Sequence, residues 1–211
     1  MKPTSAGNSP SPTVYIVDDD ESIRESLSSL IRAEGMAVEV FASPLDFLQL
    51  SQLKDFSCVV LDLRMPGLDG LSLQDELLRR GWEVPIIFIT GHGDVPDAVR
   101  AMKAGAVDFL KKPFEAFSLM HAITSALSRV SQAFDKKLET AELQARYDQL
   151  TPREKEVLVM AIQGKANKVI ALDLGISEST IKVHRHNVMS KMRFRSLPEL
   201  ALAMQRLRRG N

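Results

Sequence analysis

The sequence predicts an α/β fold in which a doubly wound parallel sheet of five strands precedes a separate all-α domain. Short runs of consecutive apolar residues, such as Val14-Tyr15-Ile16-Val17, are typical of strands buried on both faces, as in parallel sheets. Segments with the helical apolar period separate these runs, so strand and helix alternate through residues 13–128. From residue 148 onwards the apolar spacing is helical throughout, which indicates a second domain at 148–211.

The elements of the α/β region follow one another in a regular order. After the first strand, Ile23, Leu27 and Ile31 recur at helical spacing and predict a helix with one buried face. Gly35 is placed to end this helix, since glycine readily adopts the left-handed conformation found there. The same alternation then repeats along the chain. Further strands are expected at 37–41, 58–61, 86–89 and 107–111, and further helices at 45–48, 71–78 and 95–104 and from residue 114 onwards.

Polar and charged residues stand where four of the predicted strands end. They are Asp18 and Asp19 after the first strand, Asp62 after the third, Thr90 after the fourth and Lys112 after the fifth. In an open parallel sheet, ligands bind in the crevice outside the carboxyl ends of the strands, so these side chains are expected to converge. Carboxylates, a hydroxyl and an ammonium can together hold a divalent metal and a phosphoryl group. The pattern therefore predicts such a site.

Charge is unevenly distributed along the chain, although the formal net charge is zero. Residues 1–130 carry 12 Lys+Arg against 18 Asp+Glu, whereas residues 131–211 carry 15 against 9. A basic C-terminal region indicates a different partner there, with nucleic acid as one candidate. A chance imbalance over solvated faces is the alternative.

Composition also predicts the environment of the protein. Cys58, the only cysteine, lies within a predicted strand and is expected to be a core residue rather than a reactive thiol. Residues 1–12 are rich in Pro and Ser and are expected to form a disordered tail rather than a signal peptide. No apolar stretch approaches membrane-spanning length. We therefore expect a soluble, cytoplasmic protein without a membrane partner.

Four motifs surround the strand ends: Val17-Asp18-Asp19-Asp20-Glu21, Leu61-Asp62-Leu63-Arg64-Met65-Pro66-Gly67 with Gly70, Ile89-Thr90-Gly91, and Phe109-Leu110-Lys111-Lys112-Pro113-Phe114. In combination they resemble a response-regulator receiver domain, which has a flavodoxin-like fold. The resemblance covers roughly residues 12–130. It implies that Asp62 accepts a phosphoryl group from a histidine kinase.

The resemblance also implies roles for the residues around Asp62. Mg²⁺ is expected to be bound by Asp18, Asp19, Asp62 and the backbone carbonyl of Arg64. Two further residues, Thr90 and Lys112, are expected to contact the phosphoryl oxygens, and Phe109 is expected to be an aromatic residue that reorients.

Elementary chemistry supports an aspartate as phosphoryl acceptor. An unperturbed aspartate has a pKa of about 3.9, so it is ionised near neutrality and needs no general base. Mg²⁺ and Lys112 would offset the repulsion between the two anions. Other interpretations of single residues stay open. The aspartates could be helix caps, Thr90 a strand-end hydroxyl, Lys111 the functional lysine and Phe109 a core residue, and His92 is expected to be a solvated loop histidine.

The C-terminal region begins with a helix-start signal. Thr151 is a suitable N-cap, Pro152 fits the first helical position and Glu154 completes a capping box. A short helix at 167–174, a turn containing Gly175 and a basic helix at 178–192 follow, which is the helix-turn-helix arrangement. The region resembles the LuxR/NarL/FixJ-type DNA-binding domain. Together with the motif at 91–96, the whole chain resembles a FixJ-type transcription activator.

The basic helix presents two faces with different expected roles. Ile181, Val188 and Met192 form a core stripe, and Lys182, Val183 and His186 are expected to reach base edges. Because the family commonly has Lys or a small residue where His186 stands, the DNA target is expected to differ. A solvated basic face without DNA contacts is the alternative. Residues expected to contact phosphates are Lys168, Thr180, Arg185 and Lys191.

Residues 129–147 are charged and lack Gly and Pro, so they are expected to form a helical linker, with too few heptads to predict a coiled coil. The chain is thus predicted to be a response regulator in which phosphorylation at Asp62 controls dimerisation, binding to a double-stranded DNA operator and transcription by RNA polymerase. It is not expected to be an enzyme.

Two other functions stay open. An aspartate-nucleophile phosphohydrolase of the haloacid-dehalogenase pattern would use Asp18 as nucleophile and Asp20 as acid/base. It would leave the motif after Asp62 unexplained and would lack a later acidic pair. A transcription regulator with a degenerate receiver would bind DNA independently of phosphorylation, although no essential receiver residue is missing.

Overall fold

The computed structural model describes residues 11–91 and 95–209. These residues form two compact units that divide between Ala133 and Phe134. Most of the predicted tail, and His92, lie outside the described residues. The elements of the first unit are β1 (Thr13–Val17), α1 (Glu21–Ala33), β2 (Ala37–Phe41), α2 (Pro44–Phe47), β3 (Ser57–Asp62), α3 (Gly70–Arg79), β4 (Ile86–Thr90), α4 (Val95–Lys103) and β5 (Asp108–Lys111). The helix α5 (Ala116–Asp148) contributes residues to both units. The second unit further contains α6 (Pro152–Ile162), α7 (Asn167–Leu174), α8 (Glu178–Met192) and α9 (Leu197–Arg209).

The strands form one parallel sheet in the order β2-β1-β3-β4-β5. The order reverses between β1 and β3, which is the switch point where doubly wound sheets open a crevice. Val17 pairs with Leu61 across these two strands, so Asp18 and Asp62 are the next residues on either side of the crevice. The predicted doubly wound sheet is confirmed.

Alternate strand residues point into two apolar clusters, one on each face of the sheet. Val14 and Ile16 pack with residues of α1 and α5, whereas Tyr15 and Val17 pack with residues of α3 on the other face. Burial on both faces explains the continuous apolar runs in the sequence. Cys58 is fully buried in the first cluster, as predicted, and burial raises the pKa of its thiol to about 12.

One short helix agrees with the sequence-based expectation within one residue, whereas another helix is much longer than expected. The helix α2 is a single turn, capped where the Oγ of Ser43 accepts a hydrogen bond from the Asp46 backbone N–H at 3.1 Å. In contrast, α5 runs without a break through the last α/β helix and the predicted linker. The absence of Gly and Pro between Ala116 and Asp148 permits this continuity. The predicted domain boundaries at 128/129 and 147/148 both fall inside α5 and stay predictions.

The second unit has the helices that the sequence predicts. The capping box is present: Thr151 Oγ1 accepts from the Glu154 N–H at 3.2 Å, and the Glu154 carboxylate accepts from the Thr151 N–H at 2.8 Å. Gly175 ends α7 with φ of +64°, a left-handed conformation that allows the sharp turn into α8. The predicted stripe of Ile181, Val188 and Met192 is buried.

Candidate functional site

Three carboxylates meet at the carboxyl ends of β1 and β3. Ligand oxygens of Asp18, Asp19 and Asp62 all lie within 4.8 Å of one another. Asp18 and Asp62 are buried, whereas Asp19 is exposed. Carboxylate oxygens are the ligands of hard divalent cations, so this set of donors fits Mg²⁺.

Lys112 joins the two buried carboxylates. Its ammonium lies 2.7 Å from Asp18 Oδ2 and 3.3 Å from Asp62 Oδ1. The backbone N–H of Lys112 donates to the carbonyl of Thr90 at 2.7 Å, which attaches the residue to the end of β4. The neighbouring Lys111 is exposed on β5. The structure therefore brings Lys112, and not its rival Lys111, to the acidic cluster.

Asp18 is fixed by the chain around it. The Asp20 N–H donates to Asp18 Oδ1 at 2.9 Å, and the guanidinium of Arg24 donates to the Asp18 carbonyl at 2.7 Å. The Asp20 carboxylate accepts from Ser22 N and Ile23 N and so caps α1. In the alternative phosphohydrolase, Asp20 would be the acid/base. Its carboxylate instead accepts hydrogen bonds as a helix cap, which does not favour that role.

The charge on Asp62 is disfavoured in the folded protein. Burial raises the pKa of Asp62, and the neighbouring Asp18 raises it further, whereas the ammonium of Lys112 lowers it only in part. The cluster thus carries more negative charge than Lys112 neutralises. A divalent cation would remove this imbalance.

Thr90 and Phe109 lie on the two strands beyond β3. Thr90 is fully buried at the end of β4, one residue beyond Ile89, which pairs with Asp62. Phe109 is half-buried on β5 and packs beside Phe88, with ring centroids 6.3 Å apart. Both residues thus lie on the side of β3 away from Asp18.

Arg64, in the connection after β3, and Gly70, the first residue of α3, have specific contacts. The Arg64 guanidinium forms a 2.7 Å ion pair with Asp97 on α4, and both side chains are at least partly exposed. Gly70 lies against β3, where an added Cβ would come 2.4 Å from the Asp62 carbonyl oxygen and 3.1 Å from the Phe88 ring. A glycine is therefore required at position 70.

The basic helix α8 presents the predicted base-reading residues to solvent. Lys182, Val183 and His186 are all exposed. Thr180 is also exposed, so the four residues lie within two successive turns of one helix, an element that the major groove of DNA admits. Lys168 is exposed on α7.

Two of the predicted phosphate contacts have partners inside the protein. Arg185 donates to Asn167 Oδ1 at 2.7 Å and so connects α8 to the start of α7. Lys191 pairs with the buried Glu154 at 2.7 Å and connects α8 to the start of α6. These contacts orient α8 within the second unit, whatever else the two side chains do.

Comparison with known proteins identifies the family. A model of the response regulator receiver domain matches residues 14–124, and a model of the bacterial regulatory proteins of the luxR family matches residues 148–204. The response regulator protein TmoT of Ectopseudomonas mendocina is 46% identical over 195 residues, which cover 92% of this chain and 89% of TmoT. The transcriptional regulatory protein FixJ of Azorhizobium caulinodans is 46% identical over 187 residues, 89% of each chain. This chain belongs to the FixJ-type response regulators.

A solved structure agrees with this assignment. The structure of the response regulator StyR is similar with a TM-score of 0.79 at 45% identity, over 93% of this chain and 99% of the StyR chain. The predictions of a response regulator and of its two-domain fold class are confirmed. Within the ranges that the structure describes, no helix is long and apolar enough to cross a membrane.

Sequence reasoning on this response regulator missed several residues that support its sites. Asp20 precedes a helix and could have been assigned as a cap from its residue type and position alone. Arg24 and Asn167 have no such signal, because their contacts with Asp18 and Arg185 depend on tertiary structure. The pairing of Lys191 with Glu154 spans 37 residues and was equally hidden.

Proposed function

We propose that Asp62 of this response regulator accepts a phosphoryl group from a sensor histidine kinase and that phosphorylation controls DNA binding by α8. The observation that carries this proposal is the position of Lys112, whose ammonium contacts both Asp18 and Asp62 at the carboxyl edge of the sheet. A cation beside an aspartate and two further acids suits phosphoryl transfer, in which positioning and electrostatics dominate catalysis.

The transfer requires an ionised Asp62. One carboxylate oxygen attacks the phosphorus of a phosphohistidine on the kinase, and a P–O bond forms while the P–N bond breaks. The electron pair of the broken bond stays on the imidazole nitrogen. Lys112, which pairs with Asp62 beforehand, is placed to contact a phosphoryl oxygen afterwards.

Asp18, Asp19 and Asp62 would hold Mg²⁺ together with the backbone carbonyl of Arg64. When bound, Mg²⁺ supplies positive charge against the developing charge on the phosphoryl oxygens. The residues fit this role because their oxygens converge and because burial raises the pKa of Asp62. The carbonyl of Asp18 is held by Arg24, which keeps the end of β1 in place.

The response of the receiver is expected to pass through Thr90 and Phe109. The Thr90 hydroxyl would donate to a phosphoryl oxygen, and Phe109 would follow into space near β4. Such a local electrostatic change can shift the balance between two conformations. The position of both residues beyond β3, with Phe109 only half-buried, supports this route.

DNA recognition is assigned to α8. Lys182, Val183 and His186 would contact base edges in the major groove. Lys168 and Thr180 would contact phosphates, as would Arg185 and Lys191 with the parts of their side chains that Asn167 and Glu154 leave exposed. Phosphorylated receivers would form a homodimer that sets two α8 helices on neighbouring half-sites of an operator.

The wider role follows from these contacts. The protein would regulate transcription through RNA polymerase and would not turn over a substrate, beyond assisting its own phosphorylation and dephosphorylation. We also propose a cytoplasmic location, because the operator DNA is found there.

The test compares operator binding by the wild type and Asp62→Asn, with and without acetyl phosphate and Mg²⁺. The operator would first be selected from random duplexes with the phosphorylated protein. We expect the donor to raise wild-type affinity about tenfold or more, a usual coupling between sites, and to leave Asp62→Asn unchanged. Asp55→Asn, the same change at an exposed residue outside the site, should behave as wild type. Donor-independent binding by the wild type would refute the switch and favour the degenerate-receiver alternative.

A further inference from the structure

The part of α5 that belongs to the second unit carries two large apolar side chains in solvent. Phe134 and Leu138 are 57% and 52% exposed. They are four residues apart and therefore lie on one face of the helix. All residues at 131–142 are exposed, and those around this pair are mainly charged or polar. Two large apolar groups at helical spacing in such a segment form a small apolar patch, which a partner surface would remove from water.

Two small residues continue the same face towards the end of the helix. Ala141 and Ala145 are three and seven residues after Leu138, and both are exposed. We call the face formed by Phe134, Leu138, Ala141 and Ala145 the seam. Its spacing of four, three and four residues is that of alternating a and d positions in a heptad.

The seam points away from the core of its own unit. Leu143 and Tyr147, on the same helix, pack against the apolar cluster around Leu150 and Leu158. At 3.6 residues per turn these two side chains are about 140° and about 180° around the helix from Leu138. The second unit therefore buries the opposite face of this helix.

We propose that the seam pairs with the seam of a second copy of this chain to form a short parallel coiled coil. This inference deepens the homodimer of the proposed function and rests on it. In such a pair, Phe134 and Leu138 bury apolar surface against their equivalents, and the two alanines let the helices approach closely.

The charges that flank the seam specify a parallel orientation. With Leu138 at an a position, Lys137 is a g position and Glu142 is an e position. In a parallel pair, Lys137 of one copy faces Glu142 of the other, five residues further on, and the contact occurs twice. In an antiparallel pair, Asp135 would face Glu142, and these like charges repel. The flanking residues thus favour one of the two arrangements.

The seam is too short to hold a dimer by itself. It covers less than two heptads, and isolated helices of this length are marginal in water. Once phosphorylated receivers pair, however, the two α5 helices are confined near each other and the second association is effectively intramolecular. The seam therefore strengthens and orients a dimer that forms first through the receivers.

Disulfide trapping in the full chain tests the contact. In a parallel pair, residues at a and d meet their own equivalents, so Phe134→Cys and Leu138→Cys should cross-link when Mg²⁺ and beryllofluoride are added. Lys136→Cys is the control, because it lies about 160° around the helix from Leu138. Cys58 is buried with a pKa of about 12 and gives little background. We expect at least fivefold more cross-linked dimer at positions 134 and 138, whereas equal trapping at 136 would overturn the seam.

Charge exchange tests the orientation. Lys137→Glu and Glu142→Lys should each weaken the beryllofluoride-induced dimer, by about threefold or more, and the double variant should restore it. Glu142 also pairs with Arg146 within the helix at 2.8 Å. Since this pair is lost in both Glu142→Lys and the double variant, it cannot explain restoration. A double variant as weak as the singles would overturn the parallel pairing.

The same samples separate this inference from the proposed function. If beryllofluoride induces a dimer and operator binding in the wild type without position-specific trapping, the seam is refuted and the phosphorylation switch stands. If beryllofluoride induces neither in the wild type, the proposed function itself fails, and the seam with it.

Discussion

The ammonium of Lys191 lies 2.7 Å from the carboxylate of Glu154 and joins the basic helix α8 to the start of α6. The Glu154 side chain is 4% exposed, and its carboxylate also accepts from the backbone of Thr151. One buried acid thus completes a helix cap and anchors α8. A residue predicted from the sequence to contact DNA phosphates has a structural role as well.

Removal of this ammonium should destabilise the DNA-binding domain. Lys191→Met keeps the length of the side chain but leaves a buried carboxylate without its cation, and we expect a loss of about 1–3 kcal/mol. The loss is below that of a fully buried pair because Lys191 is about one-third exposed. Amide hydrogen exchange in α6 and α8 would measure it. Lys165→Met, which breaks the exposed pair with Asp173, should change protection by less than about 0.5 kcal/mol; equal losses would contradict the anchoring role.

The same acid should make the domain sensitive to low pH. Burial alone raises the pKa of Glu154, but the hydrogen bonds from Lys191 and Thr151 outweigh it, so the folded-state pKa is lowered. The stability that Glu154 contributes is therefore fully present above the unfolded pKa of about 4.3 and is lost as pH falls through the lower folded value. Denaturant midpoints of the domain, measured between about pH 6 and pH 3, should fall more steeply for the wild type than for Glu154→Gln. Parallel curves would mean that this acid is not linked to folding.

Magnesium should stabilise the receiver through its acidic cluster. Ligand that binds the folded state alone adds about 2.7 kcal/mol when its concentration is 100 times its dissociation constant. We expect Mg²⁺ to raise the thermal midpoint of the wild-type receiver and to raise that of Asp19→Asn much less, because one carboxylate of the set is lost. Calorimetry with and without EDTA measures both. Asp55→Asn serves as the charge-matched control, and an unchanged Mg²⁺ response in Asp19→Asn would remove this residue from the metal site.

Gly70→Ala should damage the receiver although the substitution adds only a methyl group. The new Cβ would lie 2.4 Å from the Asp62 carbonyl oxygen, so either β3 or the start of α3 has to move. We expect a loss of about 1–3 kcal/mol, the usual cost of overpacking, together with slower phosphorylation of Asp62 by acetyl phosphate. Gly91→Ala is the control, because no atom of the residues that the structure describes lies within 4 Å of its added Cβ. Similar behaviour of the two variants in unfolding and phosphorylation would argue against a steric requirement at position 70.

Base contacts and phosphate contacts should respond differently to substitution. Lys182→Ala is expected to cost about 1–3 kcal/mol of operator affinity and to relax selection at one base position, since it is assigned to a base edge. Lys168→Ala should weaken all DNA sequences alike and reduce the slope of affinity against salt by about 1. Binding to an operator, its single-base variants and an unrelated duplex, at several salt concentrations, distinguishes them. If Lys168→Ala relaxed selection at one base position and Lys182→Ala weakened all DNA sequences alike, the two assignments would have to be exchanged.

The fold was predictable because its local signals agree with one another. Buried parallel strands such as Ser57–Asp62 give continuous apolar runs, and α8 was predicted with its observed bounds because Ser177 caps its start and the turn before it contains Gly175. The short α2 was predicted at 45–48, within one residue of its observed bounds, Pro44–Phe47. What the sequence did not report is the packing of Phe47 against aromatic residues from other elements.

The acidic site was predictable in position but not in its supports. Chain order and the parallel sheet already place Asp18 and Asp62 at one edge. The strand-end pattern also predicts that Lys112 approaches these acids, but its direct 2.7 Å contact with Asp18 depends on the path of the chain after β5. The same holds for Arg185 and Lys191, whose intramolecular partners lie 18 and 37 residues away. Long-range pairs of this kind are decided by packing rather than by local propensity.

The order of the strands determines which strands of the receiver are held on both sides and which on one side only. Among the described strands, β3, which carries Asp62, is hydrogen-bonded to β1 on one side and β4 on the other, whereas β5, which carries Phe109, lies at the edge and is bonded to β4 alone. A group attached to Asp62 cannot displace its own strand without breaking two ladders. A displacement of β5 breaks fewer interstrand hydrogen bonds than a displacement of β3, so a conformational change that starts at Asp62 is expected to move β4 and β5. The proposed phosphoryl acceptor, Asp62, thus lies on the most constrained part of the sheet, and the residue expected to reorient, Phe109, lies at its edge.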